Sequence, residues 1–373
     1  MTHTQFSDGC AFVNGDYVPI AAAAIPILDM GFLRSDVTYD VVAVWNGKFF
    51  RLEDHLNRFE KSWNRLRMSP DINREGIRNV LIECVRRTEL QHAYVNMIMT
   101  RGISEKGNRD PRLFKNRFYG FAIPYVWLAR VDQQAQGIHL VIARQTIRTP
   151  TRAFDPAVKN FQWGDLTQGI YEAYERNGYT VVLPDADGNI TEGPGFNVFA
   201  VKDQALRTPA SGVLQGITRQ TILDLADEQG IPANASVLSA DQLRAADEIF
   251  LSSTAGGVIP VTTVDGQPVG NGNPGVSPRN FANGIGKPMT KNAGRHRSTI
   301  ERVRTPPVPQ KNNETRFLSL APSGTPRHSP TGQSSYVREN VFFLFQDRLR
   351  QSIGRPPRYR AHQFRQAQST DSV

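Results

Sequence analysis

Residues 37–66 read VTYDVVAVWNGKFFRLEDHLNRFEKSWNRL, and a change of hydrophobic period inside this stretch sets the fold class. The run up to Trp45 is rich in β-branched and aromatic residues, and Asn46-Gly47 is a two-residue hairpin turn. From Leu52 to Leu66 the apolar residues recur at helical spacing instead. A strand, a tight turn and an amphipathic helix in direct succession indicate an α/β or α+β domain. Upstream, FVNGDYVPI is strand-like; downstream, YVNMIMTRG reads as another strand and PYVWLARV as a strand passing into a linker. Residues 104–117 between them form a polar, basic loop. These segments make up an N-terminal domain over residues 1–125, followed by a linker over 126–135.

Residues 136–280 have a different texture. Short β segments (GIHLVIARQ, TVVLP, NVFAVKD, EIFLSS and PVTTVDG) alternate with Gly-rich turns and one helix over about 218–229. A compact, strand-rich second domain follows. From residue 281 to 373 the chain is rich in Arg, Pro, Ser and Gly with little periodicity, which predicts disorder relieved only by a short helix over 336–353.

The net charge of +9 would suggest a nucleic-acid partner if it were spread over the fold. It is not: residues 281–373 hold 16 Lys/Arg and 5 Asp/Glu, while the first 280 hold 28 and 30. The basicity belongs to the tail, and nucleic acid is expected, if at all, only there. Two cysteines, Cys10 and Cys84, give no disulfide framework, and no Cys/His cluster has zinc spacing, so no metal is expected. The N-terminal residues lack a signal sequence, and Ala21–Leu28 is too short and Pro-broken to span a bilayer. A cytoplasmic protein is expected.

Lysine scarcity narrows the search for a nucleophile. The first 280 residues contain 22 Arg but six Lys: Lys48, Lys61, Lys106, Lys115, Lys159 and Lys202. Lys48 and Lys202 sit at turns, Lys61 on a charged helix face, and Lys106 and Lys115 in the basic loop. Lys159 alone is flanked by Val158 and the aromatic NFQW segment, where desolvation favours the neutral amine that a Schiff base requires. The plainer alternative is a lysine whose stem covers apolar surface. An aldehyde cofactor bearing a phosphate would need an anion site, and VLQGITRQTILDLA places Gly216, Ile217 and Thr218 where a helix begins. LSSTAGG offers Ser253 and Thr254 hydroxyls beside two glycines; for either motif alone a simple cap or turn is the favoured reading. Glu192 in ITEGPGFN could keep a pyridine nitrogen protonated, or be an exposed turn residue. Arg58 could clamp phosphate oxygens, or lie on a helix surface.

Five segments in order carry a resemblance: LDMGFLRSDVTYDVVAVWNGKFFRLEDHLNRF (28–59), VKNFQWGDL (158–166), ITEGPGFNVF (190–199), GVLQGITRQ (212–220) and ADEIFLSSTAGGVIPVT (246–262). Over about residues 12–278 the chain resembles the class IV (fold type IV) pyridoxal phosphate-dependent aminotransferases, most nearly the R-selective amine transaminase and branched-chain aminotransferase-like branches. The resemblance implies a small N-terminal α/β domain and a larger C-terminal pseudo-barrel, as in D-amino-acid aminotransferases, with pyridoxal 5′-phosphate between them and a homodimer completing each pocket. It implies that Lys159 carries the cofactor and shuttles the substrate proton, and that Glu192 pairs with the pyridine nitrogen. Arg58, Ile217, Thr218 and Thr254 would hold the phosphate, and Tyr39, Val41, Trp163, Ala255 and Gly256 would line the substrate pocket. The activity implied is amino transfer from an amine or amino acid (branched-chain, D-amino acid or R-amine) to a keto acid in two half-reactions.

The alternatives are a lyase of the aminodeoxychorismate lyase type and a non-catalytic protein working through its tail. Two departures from the family pattern stand out. Arg34 replaces a pocket-edge histidine, a cation suited to a carboxylate-bearing substrate, and Lys106, Arg109 and Arg112 are further candidates for that role. The basic tail also stands where the family closes with a short helix.

Overall fold

The computed structural model describes residues 5–285 and 301–302. The first six strands are β1 (Cys10–Val13), β2 (Asp16–Pro19), β3 (Val37–Trp45), β4 (Lys48–Phe49), β5 (Ala93–Ser104) and β6 (Phe114–Pro124). They form one antiparallel sheet in the order β4-β3-β5-β6-β1-β2, with Glu301–Arg302 pairing on the β4 edge. Asn46 (φ 50°) and Gly47 (φ 67°) both adopt the left-handed conformation that a two-residue hairpin turn of this kind needs. Three helices accompany the sheet: α1 (Met30–Arg34), α2 (Leu52–Arg65) and α3 (Arg74–Thr88). Leu52, Leu56 and Phe59 of α2 join Ile77, Leu81 and Cys84 of α3 in one core with Val42, Val44, Val95 and Met97 of the sheet.

Two local expectations are corrected here. PYVWLARV is strand only at its first residue: β6 ends at Pro124, and Tyr125 and Trp127 instead pack edge-on against Trp45, at 5.5 and 5.9 Å between ring centroids. The basic loop over 104–117 is shorter than expected, because β5 runs to Ser104 and β6 starts at Phe114. The β5-β6 register shifts between Thr100 and Ile103, where Gly102 (φ +80°) passes so close to the Lys115 carbonyl that a Cβ would lie 1.7 Å from its oxygen.

The second sheet comprises β7 (Ile138–Ile142), β8 (Thr180–Val182), β9 (Glu192–Gly193), β10 (Phe196–Lys202), β11 (Ala205–Pro209), β12 (Ala233–Ser236), β13 (Glu248–Ser253), β14 (Gly257–Val264) and β15 (Gln267–Pro268). Its order is β12-β11-β10-β13-β14-β7-β8, with β9 added to β10 and β15 to β14. The period-2 alternation of these strands sends side chains to two destinations. Leu140, Phe196, Val198, Leu251, Ile259 and Val261 converge on a single interior. Their neighbours point outward, Val141 and Val181 beneath one helix and Phe199, Val201 and Phe250 beneath others. A sheet curled around one filled interior and clad in helices is a pseudo-barrel.

The helices of this part are α4 (Val131–Gln136), α5 (Gly164–Glu175), α6 (Ile217–Glu228), α7 (Ala240–Arg244) and α8 (Val276–Gly284). The closing helix, expected to be missing, is present as α8: Phe281 is fully buried and packs on Phe250, 5.8 Å between centroids. The expected helix over 336–353 and the basic tail beyond Arg302 lie outside the described residues. Among the described residues, no helix is long and apolar enough to cross a membrane, and no group of His, Cys, Asp and Glu is arranged to hold a metal.

Candidate active site

The alternation of β3 governs one wall of the site. Val42 and Val44 enter the core, and on that same face Asp40 meets α2. On the opposite face Tyr39 and Val41 line a cavity between the two sheets. Asp40 is fully buried and accepts hydrogen bonds from the Val41 N–H (2.7 Å), from Arg58 through Nε (2.7 Å) and Nη2 (2.8 Å), and from His55 Nδ1 (2.8 Å). Burial alone would raise its carboxyl pKa, but the Arg58 guanidinium and the His55 hydrogen bond win and hold it well below the usual range. Burial also lowers the His55 pKa and keeps the ring neutral; an ionised Asp40 can only accept, so the His55 proton sits on Nδ1. Arg58 gives a third N–H to the Gln215 carbonyl (3.0 Å), which leaves two of its five donors for the cavity it also lines.

Lys159 stands on the opposite wall, in a segment pinned from both sides. Its carbonyl accepts from the Tyr39 N–H (3.1 Å) and from the Thr38 hydroxyl (2.7 Å). Asn160, next in sequence, donates to the Val158 carbonyl and accepts from the Gln162 N–H, both at 2.7 Å. The Lys159 amine lies 4.4 Å from the centroid of the Tyr39 ring, a cation-accepting face. Tyr39 in turn packs on Phe161 at 4.7 Å.

Glu192 begins β9 and is buried, not an exposed turn residue. Oε2 accepts from the Leu214 N–H (2.8 Å), and Oε1 from Arg148 Nη2 (3.1 Å). Burial raises its pKa above the usual carboxylate value, opposed by Arg148, the Leu214 N–H and Lys159, so this carboxylate is unusually basic. Arg148 also donates to Asp165 in the first turn of α5 (2.6 Å).

The candidate anion site is the start of α6. Gly216 is its N-cap and no side chain caps the helix, so the first-turn N–H groups at Ile217 and Thr218 face the cavity. A Cβ on Gly216 would lie 2.2 Å from Asn197 Oδ1, whose amide nitrogen holds the Leu214 carbonyl at 2.9 Å. Gly216→Ala should therefore shift this turn and weaken retention of a phosphate-bearing cofactor by roughly tenfold, about 1.4 kcal/mol. Equilibrium dialysis followed by absorbance would show it; unchanged retention would mean that the turn tolerates the methyl. Thr254 follows β13 in a turn braced by Tyr125, whose hydroxyl donates to the Thr254 carbonyl (2.6 Å) and accepts from the Gly256 N–H (2.9 Å).

One cavity thus brings together ten of the sequence candidates: Tyr39, Val41, Arg58, Lys159, Trp163, Glu192, Ile217, Thr218, Thr254 and Ala255. Gly256 lies just outside this lining. Arg34 is exposed at the end of α1, and none of the lining comes from the loop of Lys106, Arg109 and Arg112. Sequence reading missed Tyr94 and Arg148, which also line it. The donor set suits pyridoxal 5′-phosphate: an amine for the aldehyde, a buried carboxylate for the ring nitrogen, and free N–H groups with a guanidinium for the phosphate. The buried Ser252 hydroxyl at the cavity has no partner among the described residues, as expected where a polar ligand belongs.

Comparison with known proteins agrees. The family described as amino-transferase class IV matches residues 38–264. A putative branched-chain-amino-acid aminotransferase of Methanocaldococcus jannaschii is 29% identical over 262 residues, 70% of this chain and 89% of that protein. A D-alanine aminotransferase of Bacillus licheniformis is 26% identical, over 75% of this chain and 92% of its own. Among solved structures, the Escherichia coli branched-chain amino acid aminotransferase superposes with a TM-score of 0.69 at 26% identity, covering 73% of this chain and 92% of the other. The branched-chain enzyme of T.th., solved with N-(5′-phosphopyridoxyl)-L-glutamate, gives a TM-score of 0.69 at 24% identity, covering 74% and 93%. The chain belongs to the class IV aminotransferases. It is a transaminase, and its cofactor is pyridoxal 5′-phosphate.

Proposed function

We propose that this enzyme moves an amino group from a branched-chain amino acid, a D-amino acid or an R-amine to a keto acid by a ping-pong mechanism. The observation that carries this reading is the single cavity in which the Lys159 amine, the buried Glu192 carboxylate and the uncapped start of α6 meet. In this reading Lys159 binds the cofactor aldehyde and moves the substrate proton. Glu192 holds the proton on the ring nitrogen, so that the ring, once bound, supplies an electron sink. Arg58, Ile217, Thr218 and Thr254 grip the phosphate, and Tyr39, Val41, Trp163, Ala255 and Gly256 shape the donor side. The domains would be residues 1–125 and 136–280, joined by 126–135.

The test is the visible spectrum of protein loaded with pyridoxal phosphate, dialysed and given each donor in turn. A retained yellow band that bleaches with donor and returns with pyruvate or 2-oxoglutarate supports transfer and ranks the donors. Release of pyruvate with no acceptor present would indicate a lyase instead.

A cytoplasmic homodimer completes the proposal. Ile27, Leu28 and Phe32 around α1 are 70%, 62% and 61% exposed, an apolar surface suited to a second copy. Light scattering should give twice the 41.6 kDa chain mass. Arg34 at the end of α1 would then face the partner's pocket and favour acceptors that carry a carboxylate. Arg34→His is expected to lower activity with keto acids, and higher activity in that variant would refute the role.

A further inference from the structure

Among the described residues four arginines are buried: Arg51, Arg101, Arg148 and Arg219. The first three each pair with an aspartate. Arg219, in the first turn of α6 and only 4% exposed, forms no ion pair among the described residues. Its Nη1 donates to Gln215 Oε1 (2.9 Å) and its Nη2 to the Pro209 carbonyl (3.1 Å), both neutral, and its buried Nε has no partner among the described residues. Burial lowers its pKa, and no acidic neighbour pushes the other way. A buried cation without a counter-charge destabilises a fold unless a ligand supplies the anion.

Its position says which anion. The Arg219 stem backs the N-cap: a Cβ on Gly216 would lie 3.3 Å from the Cβ of Arg219. Gln215, which receives Arg219 through its side chain, receives Arg58 through its carbonyl at 3.0 Å. Two guanidiniums therefore hold the turn whose N–H groups face the phosphate position, one lining the cavity and one behind it. We propose that Arg219 is left unpaired within the protein so that its charge offsets that of the cofactor phosphate, acting across the first turn of α6 without touching the cofactor. The low dielectric of the buried turn lets the charge act at this range.

This inference rests on the phosphate site assigned above, and the test separates the two. Dissociation constants for pyridoxal phosphate and for pyridoxal, which lacks the phosphate, are measured on the full chain of wild type, Arg219→Met, Arg219→Gln and Arg219→Lys. The neutral variants should lose roughly tenfold or more of the preference for the phosphorylated compound, with pyridoxal binding changed by less than about twofold. Arg219→Lys, which keeps the charge but not the fork, should retain most of the preference. An unchanged preference in the neutral variants overturns the proposal, as does an equal loss for both compounds, which would mark a structural prop. Neutral variants that cannot fold without cofactor overturn it too. A wild type that binds neither compound overturns the phosphate site itself.

Discussion

Lys159→Ala should leave the protein folded but colourless after incubation with pyridoxal phosphate and dialysis, with transamination reduced on the order of a thousandfold or more. The expectation follows from position. Among the described residues that line the cavity Lys159 is the only lysine, and the guanidiniums there, Arg58 and Arg148, are engaged by Asp40, Glu192 and Asp165. Folding should survive, because the contacts that pin this segment use the Lys159 carbonyl and not its side chain. Thermal denaturation of the apo forms checks that clause. A variant that keeps both colour and turnover would remove Lys159 from the chemistry.

Asp40→Ala should destabilise the protein by about 3–5 kcal/mol, because it strands the Arg58 charge beside a buried His55 whose Nε2 already lacks a partner. Urea unfolding of wild type and variant without cofactor would measure it, and a loss well under a kilocalorie would show that Arg58 finds another partner. The pH dependence has a definite sign. The carboxyl pKa is depressed in the fold, so its contribution is fully present above the unfolded value of about 4 and fades as pH falls below it. In the variant the acid limb of stability should flatten.

The hairpin and the helix after it were legible in the sequence because their signals are local. Asn46-Gly47 demands left-handed backbone, and the spacing of Leu52, Leu56, Phe59 and Trp63 is visible in one turn-by-turn reading. Lys159 was legible through scarcity and apolar neighbours. Helix α3 was readable but unread: Ile77, Val80, Leu81, Cys84 and Val85 keep helical spacing behind the Asn73 cap, masked by the Arg and Glu between them. In α5, Gly164 and Gly169 blurred the pattern, although a Cβ on Gly169 would lie only 2.9 Å from Leu183 Cδ1 and 3.0 Å from Val181 Cγ1, so the helix packs close to the sheet there.

Arg148, Asp40 and Arg219 had no local signature. Arg148 and Arg219 are charged residues in polar stretches and Asp40 is one inside an apolar strand, and only the tertiary fold shows what each is buried against. Asp40 is fully enclosed because β3 is covered on both faces, a property of the sheet that no window of residues around position 40 contains. The helix expected to be missing spans the boundary drawn at residue 280 from the Arg/Pro-rich composition that follows, and one buried Phe281 anchors it to the barrel.

The bonds that join Lys159 to β3 bear on how substrate gets in. The Thr38 hydroxyl, the Tyr39 amide and the bridge from Thr38 to Asn160 stitch the barrel side to the neighbouring sheet beside Lys159 itself. A clamshell motion that parted the two bodies would have to tear this seam. Lys159 and the β3 wall beside it are therefore expected to move as one piece, so that opening for substrate falls to other parts of the cavity lining.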